Sequence, residues 1–298
     1  MKRILFHVTA AIIMLGILNS PAGAAKAKDE LLLGLIPEEN IFTQMKRHRP
    51  LAQYLTKKLD IKVKLTVLSR YPHLITRFER RELDGAFFGI FTSVLAEESL
   101  NIEPVARPVG LDGKSTATSY IFTRTDSGIN TLKDLKGKKA AFVDKVTATG
   151  YLYMLSRMMD KGISNPLDYL SGQTLTGSHV SAIYTVHSRQ ADVGCAKGRI
   201  VDMTLENDKL LKDEIKIIDK SPELPDNTLY IRKDLPIQLK LKMQQVLLDM
   251  EKDPEGRKIL EHYGASRFID AKSSDFYPIR KMARQIGINI KKFKYDYQ

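Results

Sequence analysis

The chain has 298 residues, 43% hydrophobic and 28% charged, with 47 Lys and Arg against 35 Asp and Glu and a single cysteine. One cysteine excludes an internal disulfide, so stability must come from a packed core. A net charge of +12 favours anionic partners of every size.

Lys2 and Arg3 precede an apolar run from Ile4 to Leu18, interrupted by His7 and Thr9 and followed by the small residues Ala22-Gly23-Ala24. This is the pattern of an export signal over residues 1–24, cleaved near Ala24 to release a periplasmic protein that starts at Ala25. No later segment is apolar enough to span a bilayer. Without Lys2 and Arg3 there remain 45 basic and 35 acidic residues, a net charge of +10. The lysines are scattered except for Lys291-Lys292-Phe293-Lys294, which reads as a solvated tail; export and scatter together argue against nucleic acid. The mature length suits two lobes rather than one.

Glu30 to Ile36 has a buried-strand pattern ending at Pro37-Glu38-Glu39-Asn40, and Phe42 to Leu59 reads as an amphipathic helix interrupted at Pro50. Ile61 to Leu68 predicts a second strand and Tyr71 to Arg81 a helix. Asp84 to Gly89 predicts a third strand that leads into a helix over Thr92 to Leu100. Such alternation predicts a mostly parallel sheet flanked by helices, with ligands bound beyond the carboxyl ends of its strands. Residues 37–40, 69–71 and 89–92 are therefore candidates for lining a site, Asn40, Tyr71 and Thr92 among them.

Pro108 to Thr116 contains Gly-Lys-Ser and invites a phosphate-loop reading. The first glycine of that motif would fall on Pro108, and the following Ser119 to Thr123 looks like a strand where a helix is required, so the segment reads as a polar loop. Thr131 to Lys138 is a short helical turn. Ala140 to Val143 then reads as a buried strand, and Leu152, Leu155, Met158 and Met159 recur at helical spacing up to Gly162. The chain turns between them, and Thr147 or Thr149 sits where an N-cap hydroxyl belongs. The first N–H groups of the helix then point beyond the strand, where partial positive charge suits a phosphate-like group.

A second cradle follows in Thr176-Gly177-Ser178-His179, with Ser178 placed as an N-cap and His179 in the first turn beside the exposed N–H groups. Gln190 to Ala196 repeats the polar-then-apolar logic of Leu83 to Phe88, so the two halves look alike. Ile215 to Ile218 predicts a strand and Ser221 to Asn227 a stiff linker with two prolines. A strand over Leu229 to Arg232 and helices over residues 237–252, 255–263 and 277–286 complete the pattern. No metal-ligand spacing, nucleophile elbow or paired acid and base appears, so no cofactor, metal or catalytic activity is expected.

Taken in order, Pro37-Glu38-Glu39-Asn40, Arg49 to Leu55, Asp144 to Tyr151, Thr176 to His179 and Ser221 to Asn227 resemble the phosphate, phosphite and phosphonate binding proteins of ABC importers over nearly the whole mature chain. The resemblance implies a two-lobed α/β clamp that holds a phosphorus oxyanion between its lobes and hands it to a membrane permease, or, as a sensor, to a membrane histidine kinase. It implies lobe 1 over residues 25–118 and 228–298 and lobe 2 over 119–227. It further implies ligand contacts from Thr147, Ala148 and Thr149, from His179, from Tyr71 and from Asp226. Two departures stand out: Ala148 replaces the central hydroxyl of the family's cradle, and Lys197-Gly198-Arg199 occupies the neighbourhood where members that take aminoalkylphosphonates place an acid. A ligand without a cationic tail is expected.

Overall fold

Leu31, Leu33 and Leu35 alternate with residues that are also largely covered, as expected of a strand with helices on both faces. This strand, β1 (Glu30–Leu35), opens the computed structural model, which describes residues 29–37 and 40–293, the side chains of Tyr71 and Pro72 excepted. The export-signal reading at residues 1–24 lies outside the described residues, as do Glu38, Glu39 and Lys294.

The chain continues through α1 (Ile41–Leu59), β2 (Lys62–Val67), α2 (Tyr71–Glu79), β3 (Gly85–Phe88), α3 (Ile90–Ser99), β4 (Ile102–Gly110) and β5 (Thr116–Ala117). Next come β6 (Ser119–Arg124), β7 (Lys139–Phe142), α4 (Tyr153–Asp160), α5 (Pro166–Tyr169), β8 (Gly172–Leu175), α6 (His179–His187) and β9 (Val193–Lys197). The last part comprises α7 (Gly198–Asn207), α8 (Lys209–Glu214), β10 (Ile215–Lys220), β11 (Leu224–Pro225), β12 (Thr228–Arg232), α9 (Ile237–Leu248), α10 (Pro254–Tyr263), β13 (Ala265–Asp270) and α11 (Tyr277–Gln285).

Two sheets result, in the orders β13-β4-β12-β3-β1-β2 and β10-β6-β9-β7-β8. Strands β1, β2 and β3 are parallel, as are β7, β8 and β9, and this part follows the β/α alternation of the sequence. The other pairings are antiparallel, and for β12 and β6 connectivity explains why. Strand β12 enters the first sheet straight from the crossing, so its first residue, Thr228, pairs with Phe88 at the carboxyl end of β3. Strand β6 enters the second sheet in the same way, Ser119 pairing with Lys197 at the end of β9. A strand arriving from the other sheet starts where the parallel strands stop and must run against them. The crossings lie side by side as a two-stranded ladder, Leu224 opposite Ala117 and Pro225 opposite Thr116.

Pro50 does not interrupt α1. Proline lacks the N–H that would bind the carbonyl four residues back, and that carbonyl, of Lys46, is met instead by His262 Nε2 of α10 at 3.0 Å. Strand β4 has no counterpart in the sequence reading because Pro104 and Pro108 argue against a central strand. Both prolines lie in registers shifted by irregularities, opposite Tyr230 and Phe268. The C-terminal turn is not a free tail as far as Phe293, which packs edge-on against Phe91 of α3 at 6.1 Å. Helix α11 touches both α3 and α4, and Gln285 accepts from Ser156 and donates to Asp160 at 2.7 Å each.

Candidate functional site

In the first sheet the order reverses at β1, with β2 on one side and β3 on the other; in the second it reverses at β7, between β8 and β9. Open α/β sheets bind ligands beyond the carboxyl ends of their strands at such a point. Here both reversal points face one small cavity. The first sheet contributes Ile36, just past β1, and Gly89 and Ile90 at the start of α3. The second contributes residues 146–149 past β7, His179 at the start of α6 and Lys197 at the end of β9; Asn227 comes from the crossing.

The turn after β7 is built from its own polar groups. Asp144 Oδ1 accepts from Val146 N–H at 3.1 Å, and the Asp144 carbonyl accepts both the N–H and the hydroxyl of Thr147, at 3.0 and 2.7 Å. Thr147 thus occupies the N-cap position but makes no side-chain cap, because its hydroxyl turns back into the loop. The helix begins as a π turn over Ala148–Leu152, with Leu152 N–H bonded to the Thr147 carbonyl and Tyr153 N–H to that of Ala148. This wider spacing leaves the N–H groups of residues 148 to 151 ahead of the ladder, one more than an α-helix would.

Glycine is required in this turn. A Cβ on Gly150 would lie 2.4 Å from Val143 Cγ2 and 2.8 Å from Thr147 Oγ1. Behind the turn, Ser119 Oγ and Cys195 Sγ both donate to the Thr149 carbonyl, at 2.6 and 3.2 Å. Thr149 is buried and its hydroxyl has no hydrogen-bond partner among the described residues.

Burial pushes the Asp144 carboxyl above its ordinary range, against the opposing pull of the Val146 N–H and of the Lys145 and Arg70 charges. A carboxyl raised by folding stabilises fully below its unfolded value, and that contribution is lost as pH rises through the folded value. Asp144→Asn keeps an acceptor for Val146 and removes the charge. It is expected to raise the melting temperature at pH 7 and to leave it unchanged at pH 3, where both carboxyls are protonated. A variant melting lower at pH 7 would mean that the fold uses the charge.

His179 is 3% exposed, and Ser178 caps its helix by accepting from Ser181 N–H at 3.1 Å. His179 Nδ1 accepts from the backbone N–H of Lys197 at 3.1 Å, which assigns the proton of the neutral ring to Nε2. Lys197 is itself buried, and its Nζ lies 2.6 Å from Asp226 Oδ1. That oxygen also accepts from Asn227 N–H at 2.7 Å. Arg199 is exposed and lies with its guanidinium 3.6 Å from the sulfur of Met203.

A wider cleft of about 540 Å³ adjoins the small cavity and shares Ile36, Lys197 and Asn227 with it. Asp226 lines this cleft, with Gln44, Arg47, Lys114, Arg199 and Glu223.

The structure therefore brings Thr147, Ala148, Thr149 and His179 to one cavity and sets Asp226 beside it. Thr92 lines neither cavity: it is fully buried, and its hydroxyl donates to the Gly89 carbonyl at 2.9 Å. Asn40 is exposed and caps α1, its Oδ1 accepting from Phe42 N–H at 2.9 Å. Both sit past strand ends, as expected, but Asn40 is spent as a cap and Thr92 turns its hydroxyl back onto the carbonyl of the α3 N-cap residue. Tyr71 opens α2 beyond β2, and its side chain lies outside the described residues. Gly89 and Ile90 fall within the range 89–92 that the sequence put forward, whereas Ile36, Asn227 and the buried Lys197 were missed as site residues.

Three helix starts thus meet at one cavity with a histidine N–H and a lysine close by, an arrangement suited to holding an anion. Among the described residues no three His, Cys, Asp or Glu side chains gather where a metal ion could sit. No helix of the described residues is long and apolar enough to cross a membrane.

Residues 33–276 match the family model for the periplasmic substrate-binding protein of phosphonate ABC transporters. The chain is 26% identical over 273 residues to the phosphonates-binding periplasmic protein of Escherichia coli, covering 90% of this chain and 80% of that one. It is 28% identical over 202 residues to a phosphate-import protein of Mycolicibacterium smegmatis, covering 65% and 63% of the two. The fold superposes on PhnD1 of Prochlorococcus marinus in complex with methylphosphonate with a TM-score of 0.76 at 24% identity, over 87% of this chain and 98% of that one.

Proposed function

The chain belongs to the periplasmic substrate-binding proteins of phosphonate ABC transporters, and from that premise we propose that it captures a phosphorus oxyanion (phosphonate, phosphite or phosphate) and delivers it to the membrane permease of an importer. The observation that carries this reading is the meeting of the π turn, the α6 start and the α3 start at one cavity between two sheets. Each helix start presents N–H groups without an intrahelical acceptor and the positive end of its dipole. The Thr149 hydroxyl adds a donor of the kind a tetrahedral oxyanion accepts, and His179 lines the same cavity.

The relatives support a periplasmic location and a substrate-binding role. The thiol of Cys195, behind the turn, is ill suited to chemistry. Cys195 is fully buried, and burial pushes its thiol up to about 12. The lobes we assign are residues up to 118 with 228 onward, and 119–227, joined by the β5–β11 ladder.

A thermal-shift panel of phosphate, phosphite, sulfate and alkylphosphonates tests the reading, since a ligand at about 100 times its Kd stabilises by roughly 2.7 kcal/mol. No shift with any phosphorus oxyanion would refute it. Thr149→Ala removes one donor to a charged group, worth about 1.5–3 kcal/mol, so calorimetry should show a loss of about tenfold to a hundredfold. Unchanged affinity would leave the backbone alone as the cradle.

A further inference from the structure

Helix α11 lies against the shafts of two helices that belong to different sheets, α3 and α4. Both of those helices aim their starts at the small cavity. Gly89 and Ile90 stand at the start of α3, and α4 continues without a break from the π turn of residues 148–152. Whatever fixes α3 against α4 therefore fixes two sets of N–H groups against each other.

On the side of the first sheet α11 is rooted at several points. Arg280 pairs with Glu97 and, at 3.2 Å, with Glu98 of α3, while the Tyr230 hydroxyl of β12 donates to Glu97 at 2.8 Å. Phe276 and Ile279 are fully buried, and Phe293 beyond the helix packs on Phe91. On the α4 side the polar grip comes from Gln285. Its Oε1 accepts from the hydroxyl of the buried Ser156 at 2.7 Å, and its Nε2 donates to Asp160 Oδ1 at 2.7 Å and to the Ser156 carbonyl at 3.4 Å. Ser156 stands one helical turn past Leu152, where the π turn ends. A rotation about the β5–β11 ladder carries α4 with the second sheet and α11 with the first, and so stretches the Gln285 bonds.

We propose that α11 is a brace that holds the α3 start and the π turn at the separation an oxyanion needs, and that Gln285 is its positioning residue, raising affinity without touching the ligand. This rests on the reading that the cavity takes a phosphorus oxyanion. A site whose competent arrangement is populated for only a fraction of the time binds more weakly by that fraction. Losing the two short Gln285 bonds should lower that fraction by about tenfold.

Calorimetry with phosphate, phosphite and ethylphosphonate tests this on the whole chain. Whichever of the three binds the wild type should bind Gln285→Ala about tenfold more weakly. Gln285→Glu sets a carboxylate against Asp160 and should lose at least as much. Gln285→Glu combined with Asp160→Asn exchanges donor and acceptor in the Asp160 bond, keeps the Ser156 hydroxyl bond and gives up only the 3.4 Å contact. That swap should return affinity to within about threefold of the wild type. Tyr54→Phe removes the 2.9 Å bond from the Tyr54 hydroxyl to Asp253, far from the brace. It should lower the melting temperature and leave affinity unchanged, which separates positioning from general loss of stability. Wild-type protein that binds none of the three anions would defeat the oxyanion reading itself. Wild-type binding with Gln285→Ala within about twofold of it would overturn only the brace. An equal loss of affinity in Tyr54→Phe, or a folded swap that stays about tenfold weak, would do the same. If the swap does not fold, Gln285→Ala and Gln285→Glu decide: both must weaken binding while Tyr54→Phe does not.

Discussion

Gly150→Ala is expected to lower affinity for phosphorus oxyanions by at least about a hundredfold while leaving a folded protein. The added Cβ would lie 2.4 and 2.6 Å from two atoms of Val143. Ordinary contact begins near 3.4 Å or beyond, so the π turn must lift off the end of β7 by roughly 1 Å. Its N–H groups move with it, and a donor displaced that far no longer meets the distance and angle that a hydrogen bond needs. Losing two such bonds to a charged head, at about 1.5–3 kcal/mol each, exceeds the 2.8 kcal/mol that corresponds to about a hundredfold. The overpacking itself should cost about 1–3 kcal/mol of stability. Gly172→Ala is the control, because nothing lies within 4 Å of a Cβ there and its backbone is that of an ordinary strand. Calorimetry and thermal melts on both variants check the pair; equal affinity in Gly150→Ala and wild type would mean that the turn does not touch the anion.

Asp226→Ala should destabilise the protein by about 3 kcal/mol, because it takes the Asp226 carboxylate away from the buried Lys197 ammonium. Removing one partner of a buried pair costs about 3–5 kcal/mol. The lower figure applies here because Asp226 keeps 22% of its side chain exposed while Lys197 keeps 3%. Replacing both charges, as Lys197→Met with Asp226→Leu, should cost clearly less than Asp226→Ala alone, since burying two apolar groups strands no charge. Denaturant titrations of the single and double variants measure this. A loss below about 1 kcal/mol in Asp226→Ala would place the pair with ordinary surface ion pairs.

The local grammar of the site was legible in the sequence because it is local. A short apolar strand that breaks into Asp144, Thr147, Thr149 and Gly150 has few ways to continue as a helix, and Ser178 caps its helix as its position suggests. One miss was local: Thr147 or Thr149 was expected to cap the helix, but the Asp144 carbonyl, three residues back, takes the Thr147 hydroxyl instead. The others depend on residues far apart in the chain. Lys197 read as part of a polar neighbourhood because its burial depends on Asp226, 29 positions away. Pro50 read as a break because the group that relieves it, His262, is more than two hundred residues distant. The β/α alternation also conveys nothing of strands that enter from the opposite sheet, so the reversed direction of β12 and β6 followed from the crossings.

The single thiol of Cys195 lies at the back of the cradle, fully buried, and burial pushes it up to about 12. Thiol-directed dyes react with the thiolate, which is scarce at neutral pH for such a group and out of reach besides. The natural protein is therefore expected to label poorly with maleimides, and a cysteine introduced on its surface to be the labelled position. Met203, 38% exposed on the wall of the cleft, offers such a position away from the cradle. A fluorophore attached through Met203→Cys would convert occupancy of the cleft into an optical signal without first removing a native cysteine.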